Sequence, residues 1–143
     1  MATLQEIEQR RAERRAAHDK AREEQVIADL EAIDLLEMAT GEPLHTMTSN
    51  GYKAGVSVKL AFRAPTAVEY KRYCDMVGKA SKKGDAVEQR QAQELLALAC
   101  LVYPAPASDE GKAMLAAFPG LPLSLAIEVA KVAEMRAEDE GKS

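Results

Sequence analysis

The chain has no tryptophan, two phenylalanines and four tyrosines in 143 residues, so aromatics make up 4% of it. A thick aromatic core is therefore excluded; an alanine-rich, aromatic-poor chain suits helices that approach closely. Cysteine is nearly absent too. Cys74 and Cys100 lie far apart without paired spacing, which argues against a disulfide framework or a cysteine metal site and predicts two buried, reduced thiols in an intracellular protein. Long apolar runs are missing: the longest, Leu95 to Val102, is far short of the roughly 20 residues a membrane span needs. The start, Met1-Ala2-Thr3-Leu4-Gln5-Glu6, has no apolar leader. Basic excess is absent as well. A net charge of −4 argues against a dedicated nucleic-acid binder, which needs clustered Lys and Arg to neutralise phosphates.

What remains is 47% hydrophobic and 29% charged, the composition of one small domain with an appendage. The run Glu94 to Pro104 is its most apolar stretch and predicts the inner half of a buried helix. Residues 2 to about 38 read as one long helix without Pro or Gly, with Thr3 and Glu6 as its capping box. Leu4 and Ile7 begin it, and Val26, Ile27, Leu30, Ile33 and Leu36 recur near its end. Between them, Gln9 to Gln25 holds no large apolar residue, so this middle predicts a solvated arm or a weak contact with another subunit. Residues 1–38 carry six basic and ten acidic side chains, a difference equal to the whole net charge. Arg10, Arg11, Arg14 and Arg15 lie among Glu6, Glu8 and Glu13, a pattern that predicts a solvated face laced with i,i+4 pairs.

Gly41 and Pro43 end that helix. From Val56 to Phe62 apolar residues alternate with Ser57, Lys59 and Ala61, predicting a strand with one wet face. Leu44 to Thr48 is its hairpin partner through Asn50-Gly51, leaving an open edge for assembly. Thr66 and Glu69 then form a capping box for a helix to about Ala80 with Tyr70, Tyr73, Val77 and Ala80 on one stripe. Asp85 caps the central helix, whose core line is Val87, Leu95, Leu98 and Val102 and which Pro104 stops. Ser108 caps a short helix from Asp109 to Ala117. A last helix opens at Pro122 and runs to about Ala137, with Leu125, Val129 and Val132 inward, before a frayed tail from Glu138 to Ser143. The expected fold is mainly α with a small β-hairpin: an arm over 1–40, a hairpin over 41–63 and a compact four-helix domain over 64–143.

Residues of catalysis are scarce. His18 falls in the arm and His45 on a turn or edge strand, neither with a Cys, Ser or acid at dyad or metal spacing. Gly51 and Gly55 lack the Lys-Ser or Lys-Thr of a phosphate loop, and Cys74 is a nucleophile only if folding brings His45 to it. These patterns predict no catalytic residue, metal or cofactor.

The segment Phe62-Arg63-Ala64-Pro65-Thr66-Ala67-Val68-Glu69-Tyr70-Lys71-Arg72-Tyr73 resembles the strand-to-helix entry of small tail-assembly proteins of tailed bacteriophages. In the same order follow Leu101-Val102-Tyr103-Pro104, then Phe118-Pro119-Gly120-Leu121, then a closing amphipathic helix. Together these cover roughly residues 56 to 135 and leave the charged arm outside. The resemblance implies a tail assembly chaperone in the host cytoplasm, one that binds the tape-measure protein and recruits tail-tube subunits. Such a protein needs an apolar groove for helical segments, for which Met76, Met114, Leu115, Phe118 and Leu121 are the candidates. A structural head, connector or tail component of the virion, with Arg10, Arg11, Arg14 and Arg15 of the arm reaching a neighbouring subunit, is the second reading. A small hydrolase or redox enzyme using Cys74 or His45, and a nucleic-acid regulator using Arg10 to Arg15, are the others. A homo-oligomer fits the first two; a membrane partner fits none.

Overall fold

Long uninterrupted helix-forming sequence at the start of the chain gives one long helix, and short capped segments give the rest. The computed structural model describes residues 1–49 and 51–141, with side chains described through Arg136. In order these are α1 (Leu4–Thr40), β1 (His45–Thr48), β2 (Lys59–Phe62), α2 (Ala67–Lys83), α3 (Ala86–Cys100), β3 (Leu101–Tyr103), α4 (Asp109–Ala117) and α5 (Leu121–Gly141). The fold is mainly α with a small antiparallel sheet. Asn50 of the expected turn and the last two residues, 142–143, lie outside the described residues; the tail expected to fray from Glu138 instead continues α5 as far as Gly141.

Local chemistry sets the boundaries. Thr66 Oγ1 accepts from the Glu69 N–H and Glu69 answers to the Thr66 N–H, a complete capping box on α2. At α1 only half of the box forms: Thr3 accepts from the Glu6 N–H. Asp85 accepts from Val87 and Glu88, and Ser108 from Gly111. Gly41 and Gly84 close α1 and α2 at φ 74° and 70°, values glycine adopts without strain. Gly111 meets a different demand: a Cβ there would lie 2.0 Å from the Ala105 carbonyl oxygen.

The sheet differs from the expected hairpin. β1 pairs with β2 in the expected sense, His45 opposite Phe62 and Thr48 opposite Lys59. The other edge of β2 is taken by β3, so the strand order is β1-β2-β3. The apolar run from Glu94 therefore does not stay helical to Pro104: α3 ends at Cys100, and Leu101 turns to φ −68°, ψ 120°. Pro104 disfavours helix in the residue before it, and β2 offers hydrogen bonds that a further turn of α3 cannot.

The core lies between the sheet and α3, α4 and α5, built from residues such as Leu60, Phe62, Leu96, Met114, Leu125 and Val129. Three expectations about its faces are corrected. Ala92, Leu96, Ala97 and Cys100 form the buried face of α3, whereas Val87 and Leu95 are 66% and 57% exposed; Val87 stands in the exposed first turn, and for Leu95, inside a wholly apolar run, hydrophobicity does not mark which side faces in. Ser57 and Ala61 are buried, not wet, because α1 packs on β2. Cys74 is exposed on α2.

That packing of α1 turns on one acid. Asp29 is fully buried; its Oδ2 accepts from the Val58 and Lys59 N–H groups at 2.7 and 2.9 Å. Its Oδ1 accepts from the Tyr103 hydroxyl at 2.8 Å and Gln25 Nε2 at 2.9 Å. One side chain thus joins α1 to β2 and β3, and burial first, then this bond, pushes the Tyr103 hydroxyl up to about 12. The second half of α1 belongs to the body; only the first half is a free arm.

Candidate functional site

Two residues connect α2 and α3, Gly84 in the left-handed region and Asp85 as cap, so the two helices pack as antiparallel neighbours. Where they meet, small side chains on α3 leave a surface concavity of about 230 Å³. Ala92, Leu95, Leu96 and Ala99 line it from α3, Tyr73 and Met76 from α2, with Arg72 and Glu69 among its lining residues. Leu95 contributes an exposed apolar side chain, and Val68, also on α2, is 78% exposed.

The Glu69 end is held rigidly. Arg63 Nη1 and Nη2 donate to Glu69 Oε1 and Oε2 at 2.7 and 2.9 Å, a two-pronged ion pair. Nη2 also donates to the Ala99 carbonyl at 2.8 Å, and the Arg63 N–H to the Cys100 carbonyl at 2.9 Å. One arginine thereby ties β2, the start of α2 and the carbonyls that end α3, groups with no partner inside their own helix. The bond from Arg63 chiefly, and the Thr66 N–H next, hold the Glu69 carboxyl down at about 2, and the same bond raises the Arg63 guanidinium. Cys100 lies behind this staple, where burial pushes its thiol up to about 11, a poor setting for a thiolate nucleophile.

The other sequence candidates scatter. Met76 is half-buried in the concavity. Met114 and Leu121 are buried, and Leu115 and Phe118 pack partly buried against the same core; the expected groove of Met76, Met114, Leu115, Phe118 and Leu121 does not form. The sequence places these four at the α4–α5 corner, and that corner turns inward to close the core. Arg10, Arg11, Arg14 and Arg15 are exposed on α1, Arg10 and Arg14 beside a shallow hollow shared with Ile7, Glu13 and Ala17. Among the described residues none of the four joins an ion pair, so the expected i,i+4 lacing is not made. His18 meets the Tyr52 ring edge-on at 5.3 Å, and His45 stacks on Phe62 at 5.4 Å. Among the described residues no hydrogen bond joins His45 to Cys74, and no three His, Cys, Asp or Glu side chains are grouped to hold a metal ion. Among the described residues no single helix is long and apolar enough to cross a membrane; α4 and α5 reach the composition only as a pair bent by 104°.

Two residues that matter here escaped the sequence reading. Leu95 was hidden by its apolar neighbours. Asp29 had a usable signal, a lone acid four residues before Ile33 on the inward stripe of α1. Comparison of the chain with protein-family models, with curated proteins and with solved structures finds no match.

Proposed function

We propose that this chain is a non-enzymatic assembly protein of tailed-phage tails, which uses the α2/α3 concavity to hold an apolar side chain of a helical segment. The tape-measure protein and the tail-tube subunits are the partners the sequence resemblance implies. The observation that carries the reading is Leu95, a large side chain left 57% exposed beside Met76 and Tyr73 in a surface concavity. An amphipathic helix docks into such a surface through anchors spaced by three or four residues, and Met76 adapts to different anchors because its thioether chain repacks at little cost. Arg72 offers a positive charge beside the apolar floor, where Glu69 is already paired with Arg63. Leu95→Glu is expected to abolish co-purification with tape-measure segments while leaving the circular dichroism spectrum and melting temperature near those of the parent, since the site is already exposed. Undiminished binding by Leu95→Glu would refute this use of the concavity.

The second reading, a structural component that remains in the particle, rests on the fully exposed first half of α1, a surface suited to a neighbouring subunit. Mass spectrometry of purified particles separates the two. A chaperone is absent from them, and a structural subunit is present at fixed copy number.

A further inference from the structure

We propose that the free half of α1 docks on a second copy of this chain, lying parallel along the outward face of that copy's α1 between Ile27 and Met38. The interface joins two different faces of one helix. At 100° per residue, the side of α1 that carries Asp29 and Ile33 against the sheet continues toward the tip as Leu4, Ile7, Arg11, Arg14 and His18. His18 is held at Tyr52; beyond it this side is exposed, with Leu4 72% and Ile7 41% accessible.

Its arginines stack on one another, Arg10 above Arg14 and Arg11 above Arg15, like-charge i,i+4 rows that weaken a free helix. Among the described residues none has an acidic partner within its own chain. A surface of this composition is completed by an acidic face with apolar sockets.

The opposite side of α1, in its second half, is that face. Ile27, Leu30, Leu35 and Met38 are exposed there, with Glu31 and Asp34 between them. The two faces match at one constant offset along the helix: Leu4 falls on Ile27, Ile7 on Leu30, Arg11 on Asp34 and Arg14 on Glu37. Glu37 uses Oε2 to accept from the Leu44 N–H, which leaves Oε1 to accept from the arginine. Both stripes follow the three-and-four spacing of helices packed side by side. Reversed over the same span, the neighbour sets Leu4 and Ile7 against Glu37 and Asp34, and Arg11 and Arg14 against Leu30 and Ile27, so an antiparallel placement loses both the apolar and the charge matches.

The contact uses different patches on the two copies, so a pair keeps one patch free at each end, with the second copy displaced by about 35 Å along the helix. Such contacts build rings or filaments, not closed two-fold dimers. The proposal draws on α1 alone and stands apart from the α2/α3 concavity, whose own test uses Leu95.

Sedimentation velocity of the full chain over a concentration series tests it. The parent is expected to form species larger than dimers. Arg11→Asp and Asp34→Arg each shift association to concentrations at least about tenfold higher by placing like charges together. The double variant, and an equimolar mixture of the two single variants, restore assembly. In a Cys74→Ser background, Leu4→Cys with Ile27→Cys cross-links on oxidation into trimers and larger species. A parent that sediments as a monomer throughout, charge reversals that do not restore one another, or cross-linked products that stop at dimers would each overturn it.

Discussion

Asp29 shows how much one residue decides. Four donors from a neighbouring turn, two strand amides and a tyrosine converge on its two oxygens, in a position without solvent access. Replacing it by Ala leaves the Val58 and Lys59 amides and the Tyr103 hydroxyl without partners, and a buried group so orphaned costs about 1–3 kcal/mol. Asp29→Ala is therefore expected to lower unfolding free energy by about 3 kcal/mol or more in urea titrations, and Tyr103→Phe by about 1 kcal/mol. Equal losses for the two would contradict a shared hub. From sequence, Asp29 was one acid among ten in residues 1–38, set within the apolar spacing of Val26 to Leu36 but not distinguished from the other acids. Its role depends on β2 and β3, residues that arrive 29 to 74 positions later, and local pattern has no access to them.

At the scale of elements, the ends of helices were legible and their inward faces less so. Thr66 with Glu69, Asp85, Ser108 and Gly41 each act where their chemistry placed them, since a cap is a bond within a few residues. The faces of α3 were misassigned because Leu95, Leu96, Ala97 and Leu98 are all apolar and only the neighbours α2 and α5 choose among them. β3 was missed for a related reason: Leu101 to Tyr103 is too short to declare itself and exists because β2 has an edge to fill. The candidate site suffered most, since Met76 alone of its proposed apolar lining lies in a surface concavity.

The junction of β2, α2 and α3 carries its own prediction. Glu69 titrates near 2 in the folded chain, below the ordinary carboxylate value of about 4.3, so between these values the unfolded chain holds more protons. The stability due to the Arg63 pair is then present above about pH 5 and is lost as pH falls toward 2. The pair is partly solvated, with side-chain exposures of 40% and 28%, so screening limits its worth to about 1 kcal/mol. The stability difference between the parent and Glu69→Gln, measured by denaturant titration, should shrink over that range; a difference that is constant from pH 6 to pH 2.5 would refute the assignment.

For the whole molecule, α1 divides the chain differently from the expected boundary at residue 40. Its second half shares the core's fate through Asp29 and Ile33, and its first half has no apolar cover of its own. Hydrogen exchange at a concentration where the chain is monomeric should show amides from Val26 to Leu36 protected together with β2. Amides from Glu8 to Ala17 should exchange far sooner through fraying. Uniform protection along α1 would mean that the first half is covered by something other than a second copy.

No Gly or Pro interrupts α1 from Leu4 to Thr40, so its backbone is a single rod of about 55 Å. Its buried clamps, Asp29 and Ile33, both lie in its second half. In mechanical terms the helix is a lever with its fulcrum on the sheet. A load applied at Leu4 that overcomes the exposed His18–Tyr52 contact arrives at β2 and β3 multiplied as torque, carried by the short bonds from Val58, Lys59 and Tyr103.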